Sequence, residues 1–342
     1  MKLSDEGVPP LAFVQLLERR ALDPDAAARL RVIMHREGTS EATLIQHDVQ
    51  APIRWFREVY PELDIAQATR LGFAFAEQAQ LTSFGPLSSP LISAGSVAEI
   101  VDLLTYLPLI STALKSQFHT GDYGLIVGLT AHTGDSALDC LVITYGGSAL
   151  LRLLDMLAGD ISPVTLHLSW PEPAEVSHDE GPGANRRFFD APISFIHVPE
   201  ETLNKACRFS DPLAYRLAIA DLQRTLAQRS GSMSSAEKVR QQLEKDLGQR
   251  TNHDVAQALS MSSSTLKRRL AEEGTTYSKV RHSLLYERAM LRLLDRSVSV
   301  SEIATELGYS DLANFSHAFK RWTGRSPKDF RNPRLSDDPV ST

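Results

Sequence analysis

Apolar residues recur every three or four positions along most of this chain and alternate strictly only in a short central region. Leu11 to Arg20 carries them at helical spacing. Pro24 can open a second helix through Ala26, Leu30 and Ile33, with Gly38 as its stop. Asp64 to Gln80 is Ala-rich, and Phe73 and Phe75 within it are core candidates. Gly85-Pro86 and Ser89-Pro90 mark a loop. Ser96 with Glu99 three residues on is a capping pair, followed by a buried stripe of Ile100, Leu103, Leu104 and Leu107.

The pattern then changes period. Leu114 to Thr120 and Leu125 to Thr130 predict two strands joined by the hairpin-like turn Gly121-Asp122-Tyr123-Gly124. Ser136 to Ala158 returns to helical spacing despite Gly146-Gly147 and the β-branched run Val142-Ile143-Thr144. Val164 to Trp170 alternates as a half-buried strand does, and Pro171 to Gly183 reads as a loop. Ile193 to Val198 and Thr202 to Phe209 read as two more strands. Asp211-Pro212 opens a helix whose apolar side is read as Leu213, Leu217, Ala220 and Leu226. The polar, small-residue stretch from Arg229 to Ser235 is the clearest linker in the chain.

Beyond it the spacing is helical throughout. Ser234-x-x-Glu237 is a capping box, Val239, Leu243 and Leu247 form a stripe, and Gly248 stops that helix. Thr251 to Leu259 and the segment after Ser262 form a helix pair with Val255, Ala256, Leu259, Leu266 and Leu270 inward. Ser264, Lys267 and Arg268 face outward, with Arg269 at the flank. Tyr277 to Leu294 has a wide apolar face. Ser299-x-x-Glu302 caps a further helix with Ile303, Ala304 and Leu307 inward, Gly308 turns the chain, and Phe315, Phe319 and Trp322 bury together at i, i+4, i+7. Asn314, His317, Lys320 and Arg321 stay on the open face. Each pair has the form of a helix-turn-helix: a wedge of core behind, and donors in front for a major groove.

Charge sharpens this picture. The chain has 342 residues and a net charge of −6. Thr251 to Arg334 carries 14 Lys and Arg against 9 Asp and Glu, a net of +5, while residues 1–250 carry 22 against 31. A basic C-terminal unit behind an acidic body fits a local nucleic-acid surface. The start, MKLSDEGVPP, lacks the apolar stretch of a secretory signal, and no run of about 18 apolar residues predicts a membrane span. Two cysteines, Cys140 and Cys207, give neither a disulfide framework nor a metal cluster, which suits the cytoplasm.

The C-terminal hundred residues resemble the AraC/XylS family of bacterial transcription regulators. The stretch I-A-x-E-L-G-Y-S-D-x-x-x-F-S-x-A-F-K-R-W-T-G-x-S-P-x-x-F-R, Ile303 to Arg331, is close to that family's signature in order and spacing. Asp254-Val-Ala, Met261-Ser, Leu266, Leu270 and Gly274-Thr match its first half-motif. The resemblance implies two helix-turn-helix units per monomer joined by a central helix. By position it implies base contacts from Ser264, Lys267 and Arg268 in the first unit, with Arg269 beside them. In the second unit it implies Ala313, Asn314, Ser316 and His317, with Lys320, Arg321 and Arg325 on phosphates. The N-terminal body resembles the effector domain of the ornithine-utilisation-regulator branch, through LISAGSVAEIVDLLTYL (Leu91 to Leu107), Phe188 to Phe195, and Ser210-Asp-Pro-Leu213. Being nearly half helical, it does not read as the Gly-rich, all-β cupin barrel of the arabinose-type sensors.

No catalytic constellation emerges. His35, His47, His119, His132, His167, His178 and His197 show no zinc spacing. Ser148 lacks a Gly-x-Ser-x-Gly elbow. Neither cysteine has the Pro-Cys-His context of the methyl-accepting repair proteins that carry an AraC-like domain.

The expectation is therefore an α+β N-terminal domain, helices plus a small antiparallel sheet, followed by an all-α domain with two helix-turn-helix units. Residues 1–229 would sense an effector or dimerise, 230–235 link, 236–334 read DNA, and 335–342 form a tail. The expected function is a cytoplasmic, non-enzymatic transcription activator with no cofactor and no membrane partner. Double-stranded promoter DNA, a second copy of the chain, a small-molecule effector and RNA polymerase are its expected partners. Two alternatives stay open: a regulator controlled by a protein partner or by abundance, and an enzyme domain carried by a DNA-targeting module. The more basic first unit would discriminate sequence, and the second would fix register.

Overall fold

The computed structural model describes residues 6–19, 21–46, 50–121, 124–174, 184–230, 233–245 and 250–331. The chain divides into two compact units, Met1–Ala227 and Gln228–Thr342. The first is α+β and the second is all-α.

The N-terminal unit is built on one helix, Ser136–Ala158. Asp135 caps it by accepting from the amides of Ala137 and Leu138, and Arg57 in turn grips both oxygens of that carboxylate, at 2.7 and 2.5 Å. The β-branched run does not interrupt the helix, because tertiary burial outweighs a propensity deficit of a few tenths of a kcal/mol per residue. The paired glycines have a packing role. A β-carbon on Gly146 would sit 2.4 Å from Leu114, and one on Gly147 would sit 2.6 Å from Leu166. Only a bare backbone lets the helix lie this close to the sheet. By length and composition this helix could cross a bilayer, contrary to the sequence expectation; 72% of its most apolar window is buried inside the protein, as in a core helix.

The sheet runs in the order Leu114–Gly121, Gly124–Ala131, Phe195–Val198, Thr165–His167 and Arg187–Phe188. The first two strands form the expected hairpin, with Leu114 opposite Ala131 and Gly121 opposite Gly124; Asp122 and Tyr123 lie outside the described residues. Val164, Leu166, Leu168 and Trp170 are buried in alternation, as their period requires. The sheet is not wholly antiparallel. Thr165–His167 and Arg187–Phe188 pair in parallel, with Leu166 opposite Arg187. A parallel neighbour needs a long return connection, and residues 171–186 supply it. Residues 175–183 of that connection lie outside the described residues.

Three further expectations change. Thr202 to Phe209 is not a strand: Glu200–Leu203 is a short helix after Pro199, and only Ala206 makes an isolated bridge, to Ser96. Pro followed by two glutamates is a helix-start pattern, and it outweighs the weak alternation after it. Gly85-Pro86 lies not in an open loop but in helical turns over Leu81–Leu87, kinked at Gly85, followed by a helix over Ser88–Ser93. The helix Pro212–Ser230 shows the wrong face in the sequence reading. Leu222 is buried, with Tyr215, Ile219 and Leu226 packed beside it, whereas Leu213 and Leu217 are 60% and 64% exposed. Two interleaved stripes of similar hydropathy share this helix, and composition alone cannot choose between them.

The C-terminal unit has seven helices among its described residues: Ser235–Glu244, Asn252–Ala258, Ser263–Glu272, Tyr277–Leu294, Val300–Glu306, Leu312–Thr323 and Pro327–Arg331. Leu247 and Gly248, read as the end of the first, lie outside the described residues, as does the tail from residue 332. Val239, Leu243, Val255, Ala256, Leu266, Leu270 and Leu284 pack one core. Ile303, Ala304, Leu307, Phe315 and Phe319 are buried in the distal half, where Phe319 meets Phe330 edge to face at 5.4 Å. Trp322 is half-buried against Phe319, Tyr286 and Tyr309.

Candidate nucleic-acid interface

The two halves of the C-terminal unit repeat one design. Thr251 and Ser299 each cap a short helix and exchange reciprocal bonds with Asp254 and Glu302. These bonds hold both carboxyls below the usual carboxylate range. The turns that follow share the same bonds. Ser260 donates to the Gln257 carbonyl at 2.9 Å and Met261 to that of Ala256 at 3.0 Å; Gly308 donates to Thr305 at 3.0 Å and Tyr309 to Ala304 at 2.9 Å. Ser262 and Asp311 then cap the second helices, accepting from Thr265 and Asn314.

On Ser263–Glu272 the apolar face, Leu266 and Leu270, is fully buried, so helical geometry turns Ser264, Lys267, Arg268 and Arg269 outward, and all four are exposed. The Arg268 guanidinium lies 4.0 Å from Glu272 one turn on, with both side chains largely in water. Such a pair contributes little, and a phosphate or guanine can take over its partner. The Ser264 hydroxyl is bonded to Ser262 at 2.9 Å, within the helix cap.

On Leu312–Thr323, Ala313, Asn314, His317, Lys320 and Arg321 are exposed and Ser316 is half-buried. Arg325 is exposed just beyond the helix. Asn314 is less free than its residue type suggests. Its amide donates to Ser310 at 2.9 Å and to Asp311 at 2.8 Å, so the amide nitrogen already serves the cap of its own helix. Leu312, absent from the sequence reading, is 42% exposed at the first position of the same helix. An apolar side chain there suits a thymine methyl group.

Four positioning contacts also escape a linear reading. Glu287 is buried on the central helix, where Arg240 grips both its oxygens and Ser283 donates to it at 3.0 Å. Arg292 joins the same helix to Glu306, at 2.7 Å from Nε. Glu273, at the end of the first outward helix, accepts from the Ser235 and Ala236 amides at 2.6 and 2.8 Å. Arg331 caps the central helix by donating to the carbonyls of Leu293 and Asp295 at 3.3 and 3.2 Å. These groups fix where the outward helices stand. Their pairing spans 14 to 47 residues, which no local motif exposes.

The thiols of the N-terminal unit are poor nucleophiles. Burial pushes Cys140 up to about 12 and Cys207 to about 11.

Residues 255–333 match the helix-turn-helix domain family, and residues 62–206 match the family described as the arabinose-binding domain of AraC transcription regulators, N-terminal. The chain belongs to the AraC family of transcription regulators. Over 78 residues it is 47% identical to the HTH-type transcriptional regulator VqsM of Pseudomonas aeruginosa, covering 23% of this chain and 24% of that protein. It is 32% identical over 136 residues to the regulator Rv1395 of Mycobacterium tuberculosis, covering 40% of each. The chain thus spans only about a quarter to two fifths of these relatives. The ornithine utilization regulator of P. aeruginosa is similar over more of its length, 22% identical across 264 residues, or 76% of this chain and 78% of that protein. The crystal structure of the regulator CdpR from P. aeruginosa aligns with 92% of this chain and 98% of its own, with 21% identity and a TM-score of 0.39. The α+β body, with its five-stranded sheet and predominance of helix, departs from an all-β barrel, as the sequence composition implies.

Proposed function

We propose that this AraC-family chain is a sequence-specific regulator that reads promoter DNA through both helix-turn-helix units of each monomer. One observation carries the reading: the same capped helix, left-handed turn and outward polar helix occur twice on one central helix. That helix, Tyr277–Leu294, has 18 residues and so is about 27 Å long. The separation of successive major grooves on one face of B-DNA is about 34 Å. A rigid spacer of this size suits two adjacent grooves.

Lys267, Arg268 and Arg269 make the first unit the sequence reader. An arginine that forks onto guanine O6 and N7 is worth about 1–3 kcal/mol of discrimination. Ala313, Asn314, Ser316 and His317 make the second the weaker reader, with Lys320, Arg321 and Arg325 on phosphates. In this role Asn314 must exchange its cap bonds for a base edge, which lowers its net gain.

The reading places effector sensing and dimerisation in residues 1–229, and activation through RNA polymerase, in the cytoplasm, downstream of both. The exposed row Phe209, Leu213 and Leu217 supports a second copy as the partner of the N-terminal unit. An effector would act by favouring one arrangement of the two units through differential affinity.

Genome-wide mapping of bound sites, followed by titration of a mapped site with Arg268→Ala, tests the reading. The variant should bind at least 10-fold more weakly and relax preference at one or two base pairs. Undiminished binding at physiological salt contradicts it.

A further inference from the structure

The N-terminal unit holds a partly open cavity of about 100 Å³ between the Ser136–Ala158 helix, the Pro10–Glu18 helix and the turns around Leu87 and Leu103. We propose that this cavity is a binding site for a small, uncharged, apolar molecule, and that neither a sugar nor an amino acid is its ligand. Its use as an effector site rests on the regulator reading above; the binding itself does not.

The wall decides the ligand's chemistry. Phe13, Phe56 and Phe75 form one side, with ring centroids 4.8 and 5.6 Å apart in sequence along the stack, and leucines, Ile100 and Ile110 form most of the rest. None of the residues lining the cavity carries a charge. The polar side chains on the wall are those of Ser83, Ser111 and Tyr145, and both serines are already engaged within the protein. Ser111 donates to the Gly7 carbonyl at 3.0 Å and accepts from the Leu114 amide at 3.3 Å. Ser83 donates to the Gln15 side-chain oxygen and accepts from the Gln80 amide at 2.9 Å. The Tyr145 hydroxyl faces Ser83, whose hydrogen-bonding influence lowers the phenol's pKa against the larger, raising effect of burial.

A sugar brings several hydroxyls and a zwitterion brings two charges. Each group would be left unpaired in such a wall, and its desolvation penalty would oppose binding. An apolar guest meets no such opposition. Burial also pushes the Tyr145 phenol up to about 12, as expected of a dry wall. An apolar cavity of about 150 Å³ stays empty of water and takes benzene or xenon. A cavity of about 100 Å³ is of that kind and suits a compact guest of similar or slightly smaller size.

The cavity is also too large for ordinary packing noise, since interiors hold few voids bigger than one water. Its floor is set by small residues. Ala12 and Ala149 are buried on two different helices that line it, and Gly146 lies against Leu114. Larger side chains at Ala12 or Ala149 would fill the space.

The test melts the full-length chain in buffer, in benzene-saturated buffer, and with L-arabinose or L-ornithine at 10 mM. Benzene should raise the midpoint of the N-terminal transition by about 2–4 °C, as expected for roughly 1 kcal/mol of binding in a domain of this size. Ala149→Leu should abolish the shift, as should Ala12→Leu on the other helix. Arabinose and ornithine should leave the midpoint unchanged. Xenon pressurised into crystals of the wild-type chain should occupy the cavity, which needs no variant. The proposal is overturned if xenon stays out, if benzene gives no shift or shifts both filled variants equally, or if ornithine or arabinose gives a shift that Ala149→Leu removes. Failure of the regulator reading would show instead in the DNA titration of Arg268→Ala.

Discussion

Ser260 and Gly308 hold the same left-handed position in the two turns of the DNA-binding unit, with φ of 55° and 80°. Glycine adopts this conformation at little steric cost, whereas an L side chain costs about 1–2 kcal/mol there. The first turn therefore carries strain that the second lacks. Ser260→Gly should stabilise the C-terminal unit by about 0.5–1 kcal/mol, and Gly308→Ser should destabilise it by about 1 kcal/mol. Chemical denaturation of the two variants, compared at equal slope, checks both signs.

The buried carboxylate of Glu287 leads to a larger effect. Removing one partner of a buried ion pair strands the other charge, typically at about 3–5 kcal/mol. Glu287→Ala should lose stability in that range and weaken DNA binding at every sequence alike, because it loosens the helix that holds both readers. Replacing both partners, Arg240→Met with Glu287→Leu, should recover most of the stability. A double-mutant cycle on denaturant midpoints measures the difference.

Lys320 and Arg268 separate two kinds of contact. Lys320→Ala should weaken specific and scrambled DNA equally and flatten the dependence of log affinity on log salt by about one. Arg268→Ala should instead change the ranking of base pairs. Titrations over a range of salt concentrations distinguish them.

The N-terminal unit should respond to acid through His167. This ring is stacked between Phe188 and Phe195, with centroids 4.9 and 4.3 Å away, and its Nε2 lies 3.0 Å from the Thr165 hydroxyl. Burial, with His197 nearby, lowers its pKa from 6.5 to about 4. The unfolded chain thus binds a proton at a higher pH than the folded one, so the native state favours the neutral ring. The stability this provides is complete above pH 6.5 and is lost as pH falls toward 4. His167→Phe should flatten the pH dependence of the melting midpoint in that window by an amount equivalent to about 1–3 kcal/mol.

The two helix pairs were legible in the sequence because their signals are local. Capping residues three positions apart, a turn residue and an i, i+4, i+7 stripe all fall within one helical turn or two. The hairpin from Leu114 and the helix from Ser136 were legible for the same reason. Errors arose where distant residues decide. Leu213 and Leu217 match Tyr215 and Ile219 in periodicity, and only the packed body determines which pair is covered. The parallel pairing of Leu166 with Arg187 depends on a return connection that carries no strand pattern of its own. The bond from Asn314 back to Ser310 and Asp311, and the ion pair from Arg240 to Glu287, are contacts of geometry that residue type alone does not announce.

The central claim is that both helix-turn-helix units of one chain engage DNA. Hydroxyl-radical footprinting of the full-length chain on a mapped site tests it most directly. The account predicts, for each monomer, two protected patches on one face of the duplex, one helical turn (about 10–10.5 base pairs) apart. With Arg268→Ala the patch of the first unit should fade before that of the second. A single protected patch per monomer, or equal fading of both patches in that variant, would contradict it.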